Sequence, residues 1–270
     1  MDKVKVLERT AAEVRGRILE VSHRNRIPHL ASSMSCVDLL VVLYGEQMKY
    51  RSDEPLWDQR DRFILSKGHA ASALYTVLSK YVFFPDEALD THGKPGSRLE
   101  EHPSRNCVPG VEVATGTLGH GLPVANGMAL AAKIKNESYH TYVILGDGEC
   151  NEGTIWEGAM FAAGHKLGNL TVFVDFNKWQ ATDRSCDVLH LECLCEKFKA
   201  FGWNVCRVNG NSIRSILEGL QTKFDNDKPT AFIADTTKGA GISFAEDDNN
   251  WHYRIPSEEE VAQGTKELGL

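Results

Sequence analysis

The sequence has no apolar run near the ~18 residues that a membrane-spanning helix needs; its longest, Leu39 to Tyr44, is core-sized. Nothing at the start reads as a secretory signal, because residues 1–13 are charged and contain no apolar stretch. No Lys/Arg-rich block stands out, and the formal net charge is −7. A nucleic-acid-binding surface and a membrane anchor are therefore not expected. There is no Cys-x-x-Cys pair. The seven cysteines are odd in number and irregularly spaced, with Cys193 and Cys195 forming only a Cys-x-Cys. That pattern suits neither a zinc finger nor a disulfide framework, and points to reduced thiols in a cytoplasmic protein. Repeats, low-complexity tracts and interdomain linkers are also lacking, so residues 1–270 are read as one domain.

Hydrophobic periodicity supplies the elements. Leu7, Ala11, Val14, Ile18 and Val21 recur at helical spacing, predicting a helix over 4–22. Further helices are expected over 35–47, 70–81, 124–135, 151–166, 191–201 and 212–224. Strands are expected at 62–65, 141–145, 170–174, 204–208 and 230–234. Alternating strands and helices predict an α/β fold with a mostly parallel sheet flanked by helices on both faces. Residues 82–122, rich in Gly, Pro, His and Asp, read as a long functional loop. The polar tail after Trp251 reads as a surface that packs on a partner.

In such a sheet ligands bind beyond the carboxyl ends of the strands. Strand 141–145 runs into Gly146-Asp147-Gly148, and a helix follows near Asn151 or Glu152. Glycines let the backbone turn tightly and approach a ligand. Amides at a helix start favour a phosphate, and Asp147 can bind a hard cation. A diphosphate with Mg²⁺ fits both features, because Mg²⁺ bridges phosphate oxygens and takes one or two protein oxygens. The next strand ends in Asp175-Phe176-Asn177, so Asn177 can offer a second oxygen beside Asp147. A Gly-Asp-Gly turn alone is ordinary turn chemistry. The full set, GDGECNEGTIWEG followed by HKLGNLTVFVDFN, resembles the diphosphate and metal motif of thiamine-diphosphate enzymes.

Within that class the chain resembles transketolase. Three further segments carry the likeness: LSKGHAASALY (65–75), EHPSRNCVPGVEVATGTLGHG (101–121) and TTKGAGISFAEDDNNWH (236–252). The resemblance implies a thiamine diphosphate-binding fold, with thiamine diphosphate and Mg²⁺ as cofactors. It implies Asp147 and Asn177 as metal ligands, with Trp179 giving only its backbone carbonyl. Gly146, Gly148 and His69 would meet the diphosphate. Gly116, Leu118, Asn177 and His252 would approach the cofactor, and Glu152 would communicate across a subunit interface. His29, His102 and His252 would line the substrate channel. His29 and His252 are the candidates for proton transfer, since imidazole titrates near neutrality, and His102 would orient the substrate.

The resemblance reaches only the first of transketolase's three domains. The glutamate that activates the cofactor's pyrimidine belongs to another domain, so a separate pyrimidine-binding subunit is the expected partner, with self-association into a larger heteromer. Sugars are the expected substrates, and transfer of a two-carbon ketol unit the expected reaction. The alternatives are another thiamine-diphosphate carbon–carbon ligase, a 2-oxo acid dehydrogenase component, against which the histidines argue, and a non-catalytic scaffold. The chain departs from the family around His29, where IPHLASS lacks the usual glycines. Asp183 replaces a glycine, Asn209-Gly210-Asn211 replaces an Asp-Gly-His-Asp run, and Tyr253-Arg254 follows His252. These departures point to a specialised substrate. Lys238, Gly239 and Gly241 are read only as shaping a loop, and Trp57, Trp203 and Trp251 as packing.

Overall fold

A computed structural model describes residues 2–270. Five strands form one sheet in the order β1-β2-β3-β5-β4: β1 (Arg62–Leu65), β2 (Thr141–Gly146), β3 (Leu170–Phe176), β4 (Asn204–Asn209) and β5 (Thr230–Asp235). Every pairing is parallel, with Gly146 opposite Asp175 and Phe176 opposite Asp235. All carboxyl ends therefore lie along one edge.

Successive strand residues point to opposite faces, and each face has its own core. Tyr142, Ile144, Phe173 and Phe232 face one core. Helices α1 (Lys3–Asn25), α2 (Leu30–Met34), α3 (Val37–Val42), α4 (Ala71–Lys80) and α9 (Ile213–Leu220) contribute to it. Val143, Leu145, Val172, Val174 and Ile233 face the other. It is covered by α5 (Gly121–Lys135), α6 (Gly153–Gly164) and α8 (Leu194–Ala200). The expected α/β fold with helices on both faces is thus the observed one. Burial on both sides is why β2, β3 and β5 read as nearly continuous apolar runs, whereas the edge strand β4 is mostly half-buried or exposed.

In α1 all five residues of the periodic stripe are buried. Asp2 caps its start and Arg26, in the left-handed region, its end. The helix expected over 35–47 begins at Val37 and ends in a π turn, Leu43–Gln47, while the short helix α2 before it was not expected; an interruption at Ser35–Cys36 separates the two. The interruption lets the Ser35 hydroxyl reach Asp175. A short helix, α7 (Ser185–Val188), was not foreseen. The last helix, α10 (Glu258–Glu267), starts in a Ser257/Glu260 capping box. It packs on its own chain: Gly264 lies against Leu19 and Ile242. The polar tail thus packs at least one face on its own chain. No helix among the described residues is long and apolar enough to cross a membrane.

Candidate active site

Three strands deliver residues to one cavity of about 490 Å³, and the segment after β5 supports it from outside. Ser66 and Lys67 follow β1, Gly146 and Asp147 close β2, Asp175 to Asn177 close β3, and Thr236 to Lys238 follow β5. The floor is held by two buried carboxylates. Asp175 pairs with the ammonium of Lys67, and accepts from Ser35 Oγ at 2.6 Å, from the Thr236 hydroxyl and from Asn177 Nδ2. Burial opposes a charge on Lys67, but the Asp175 carboxylate overrides it and holds the ammonium above its usual pKa. Glu149 accepts from Gly119 N at 2.9 Å, from Gly146 N at 3.1 Å and from the Ser66 hydroxyl. It clasps the Gly-Asp-Gly turn to two other loops. Burial raises its pKa despite these donors.

Asp147 is 1% exposed. It accepts from Ser185 Oγ at 2.7 Å and Lys178 N at 2.9 Å, and forms no salt bridge among the described residues. Burial without a cation pushes its carboxyl up to about 6. Asn177 Oδ1 accepts from Trp179 N at 3.1 Å. The Trp179 carbonyl accepts no hydrogen bond among the described residues. No three His, Cys, Asp or Glu side chains gather as a metal site among those residues. The available set is a carboxylate, an amide and a carbonyl, all hard oxygens suited to Mg²⁺ rather than zinc. Beside it, Gln180 Nε2 is a buried donor with no protein partner, as an anion would require. A Cβ at Gly148 would lie 2.8 Å from Gln180 Cγ, so the cradle depends on glycine there. These residues fit a metal-bridged diphosphate.

The wall is made of histidines. His29, His69, His102 and His252 come from four separate segments and meet, with ring centroids 5.1 Å apart for His29–His252, 5.5 Å for His29–His69 and 6.0 Å for His29–His102. His29 adopts φ +66° just before α2, and its N–H donates to the His252 carbonyl at 2.9 Å. A bulky residue in the left-handed region is costly and concentrates at functional sites. Burial, with His102, Lys238 and Lys67 nearby, lowers His29 to about 4. Burial and Lys238 lower His252 to about 3, and burial with Lys67 holds His69 well below the usual imidazole value. Gly116 has φ +129°, and a Cβ there would come within 2.7 Å of His102 Cδ2. Only glycine lets that loop approach the ring.

Every site residue expected from the sequence lines this cavity, including Leu118 and, at its edge, the exposed Glu152 at the start of α6. Sequence reasoning missed Lys67, Asp175, Glu149 and Lys238. Lys67 and Asp175 sit inside the quoted motifs, but their pairing spans 108 positions and has no local signal. Lys238 does more than shape a loop, since its Nζ lies 3.1 Å from His252 Nδ1. The Trp179 side chain is also engaged, donating to Asp247 at 2.8 Å under the Arg184 guanidinium. Asn211, one of the departures, ties the Thr237 amide to Asp38 and the Ser35 carbonyl.

The profile of the transketolase thiamine diphosphate-binding domain matches residues 8–270. The chain belongs to the transketolase thiamine diphosphate-binding family. Among its relatives, one of the subunits of the apulose-4-phosphate transketolase of Phocaeicola vulgatus is 39% identical over 267 residues, 98% of this chain and 95% of the relative. The 6-deoxy-6-sulfo-D-fructose transketolase subunit SqwG of a Clostridium species is 39% identical over 241 residues, 89% of this chain and 88% of the relative. Human transketolase is 36% identical over 255 residues, 93% of this chain but 40% of the longer protein. The transketolase structure from Campylobacter jejuni superposes with a TM-score of 0.91 at 28% identity, covering 99% of this chain and 43% of that one. The chain thus corresponds to about two fifths of those full-length transketolases.

Proposed function

We propose that this chain is the diphosphate-binding subunit of a two-polypeptide transketolase that moves a two-carbon ketol unit from a ketose to an aldehyde. The convergence of four histidines above Asp147 and Asn177 carries the reading. Asp147, Asn177 and the Trp179 carbonyl would hold Mg²⁺. The Gly146–Gly148 turn, Gln180 and His69 would receive the diphosphate. Thiamine diphosphate, when bound, supplies the carbon nucleophile of ketol transfer. The chain's own residues do the rest. Lys67, Asp175 and Glu149 hold the floor rigid, Gly116 and Leu118 wall the cofactor, and the histidines exchange hydrogen bonds and protons with substrate oxygens.

Several features support a partner. The relatives named as single subunits of a transketolase match along nearly their whole length, and the resemblance expects the pyrimidine-activating glutamate on another domain. Val124, Ile134, Met160 and Phe161 are exposed on α5 and α6, the latter being the helix that Glu152 opens. Such a face suits a pyrimidine-domain partner and self-association of the assembly. Seven free thiols fit a reducing, cytoplasmic setting. Tyr253 at the cavity mouth, with the names of the relatives, favours a specialised sugar. The test is to assay the purified chain with thiamine diphosphate, Mg²⁺, a panel of ketose donors and aldehyde acceptors, with and without a pyrimidine-domain polypeptide. The expected result is turnover only with both chains; robust turnover by this chain alone would remove the two-polypeptide reading.

A further inference from the structure

Lys238 follows β5, is 1% exposed and lies behind the histidine wall. Its ammonium has three acceptors: Asn249 Oδ1 at 2.7 Å, His252 Nδ1 at 3.1 Å and the Gln180 carbonyl at 3.4 Å. An ammonium carries three protons and no lone pair, so each partner must accept. Two of the three are settled independently. A carbonyl can only accept. The Asn249 amide is oriented by its Nδ2, which donates to the Ala181 carbonyl at 3.1 Å and leaves Oδ1 toward Lys238. The third, His252 Nδ1, must then be unprotonated. In a neutral imidazole the proton sits on Nε2. His252 lines the cavity whereas Lys238 does not, and Nε2, on the opposite side of the ring from Nδ1, points away from Lys238.

We infer that Lys238 is a positioning residue that fixes His252 as a neutral imidazole whose Nε2–H donates to a substrate oxygen. The inference deepens the proposed function, since it rests on His252 facing the substrate. The surroundings agree. His29 and Ser32 approach the His252 ring from the α2 segment, with Ser32 Oγ 3.5 Å from the same Nδ1. His69 and Lys67 approach from the β1 end, and Tyr253 meets the ring edge-on from the mouth. No carboxylate stands among them to favour an imidazolium, and burial with Lys238 already holds the ring near about 3. Burial lowers Lys238 itself to about 8, so the ammonium persists below that pH. His252 then takes no proton from substrate. Acceptance falls to His29 or His102, whose ring nitrogens have no protein partner among the described residues.

The test uses the full chain labelled with ¹⁵N-histidine, the His252 signals being assigned with His252→Asn. The expected spectrum has Nδ1 unprotonated and Nε2 protonated from about pH 7 to about pH 5, with no titration between. Lys238→Met should redistribute the tautomers and let the ring titrate nearer its ordinary pKa, and Lys238→Arg should restore the lock. In the reconstituted enzyme Lys238→Met should lower kcat by about 10–100-fold, as loss of an outer partner does for ligand histidines. It should also add an acidic limb to the pH–rate profile, with KM little changed. A wild-type spectrum with the proton on Nδ1, or an unaltered tautomer and titration in Lys238→Met, would overturn the inference. The spectra need no turnover. A correct tautomer in a reconstituted pair that fails on every ketose would therefore indict the proposed function and leave this inference standing.

Discussion

The floor of the cavity grows out of strand ends, whereas its wall is assembled from loops. Lys67, Asp147, Asp175 and Asn177 are placed by sheet register and are at most 5% exposed. Asp175 alone meets Lys67, Ser35, Thr236 and Asn177. The four wall histidines meet mainly one another. Among the described residues only His252 has a ring nitrogen bonded to protein, through Lys238 and Ser32. The floor is therefore committed before any ligand arrives, while the wall keeps its hydrogen-bonding capacity for what enters. Preorganised polar groups at the anchor and unspent ones at the reacting end are the division expected of a site that holds one molecule and processes another.

Breaking the floor should cost most. Asp147→Ala should abolish Mg²⁺-dependent thiamine diphosphate binding by calorimetry in the assembled enzyme while the fold survives; unchanged affinity would mean that the metal lies elsewhere. Lys67→Met strands Asp175 in a dry site, and should destabilise the chain by roughly 3–5 kcal/mol in urea unfolding. Adding Asp175→Asn should recover part of that. A loss as small as that of His69→Ala would erase the contrast between floor and wall. His252→Ala should lower kcat by about 10²–10³-fold, the usual worth of one preorganised donor, and spare cofactor affinity; wild-type turnover would reduce His252 to packing. The smallest effect is on pH. The fold keeps His29 and His252 neutral down to about 4 and about 3, whereas the unfolded chain protonates them near pH ~6.5. The unfolded state then binds more protons, so stability should fall as pH drops from about 6.5 toward those values. His252→Asn should flatten this fall in thermal melts, and an unflattened curve would assign it to other groups such as the half-buried His140.

What the sequence revealed divides along the same line. Strand ends and their motifs were legible, because apolar runs such as 141–145 and 170–174 and the Gly-Asp-Gly turn are local signals. The histidines were found by resemblance, since nothing local marks His29 or His102 as neighbours. Lys67, Asp175 and Glu149 went unassigned because their meaning lies in partners far along the chain. The short helix α2 before Ser35 was missed because its five residues are too few to show a helical period, and the Ser35 contact with Asp175 that separates it from α3 exists only in three dimensions. Lys238 beside two glycines reads as loop chemistry until it is seen behind His252.

The Glu149 clasp also bears on the order in which the molecule assembles. Ser66 and Gly119 lie 83 and 30 positions from Glu149, and Ser35 lies 140 positions from Asp175. Contacts of such separation are slow to form, because loop closure must be paid for before they reward it. Helices such as α1, built on local contacts, can precede them. The cavity is then among the last parts to close during folding, and the 115–121 loop, held through Gly119 and Gly121 to side chains, can release without unpairing a strand. Amides of that loop should exchange with solvent well before those of β2 and β3.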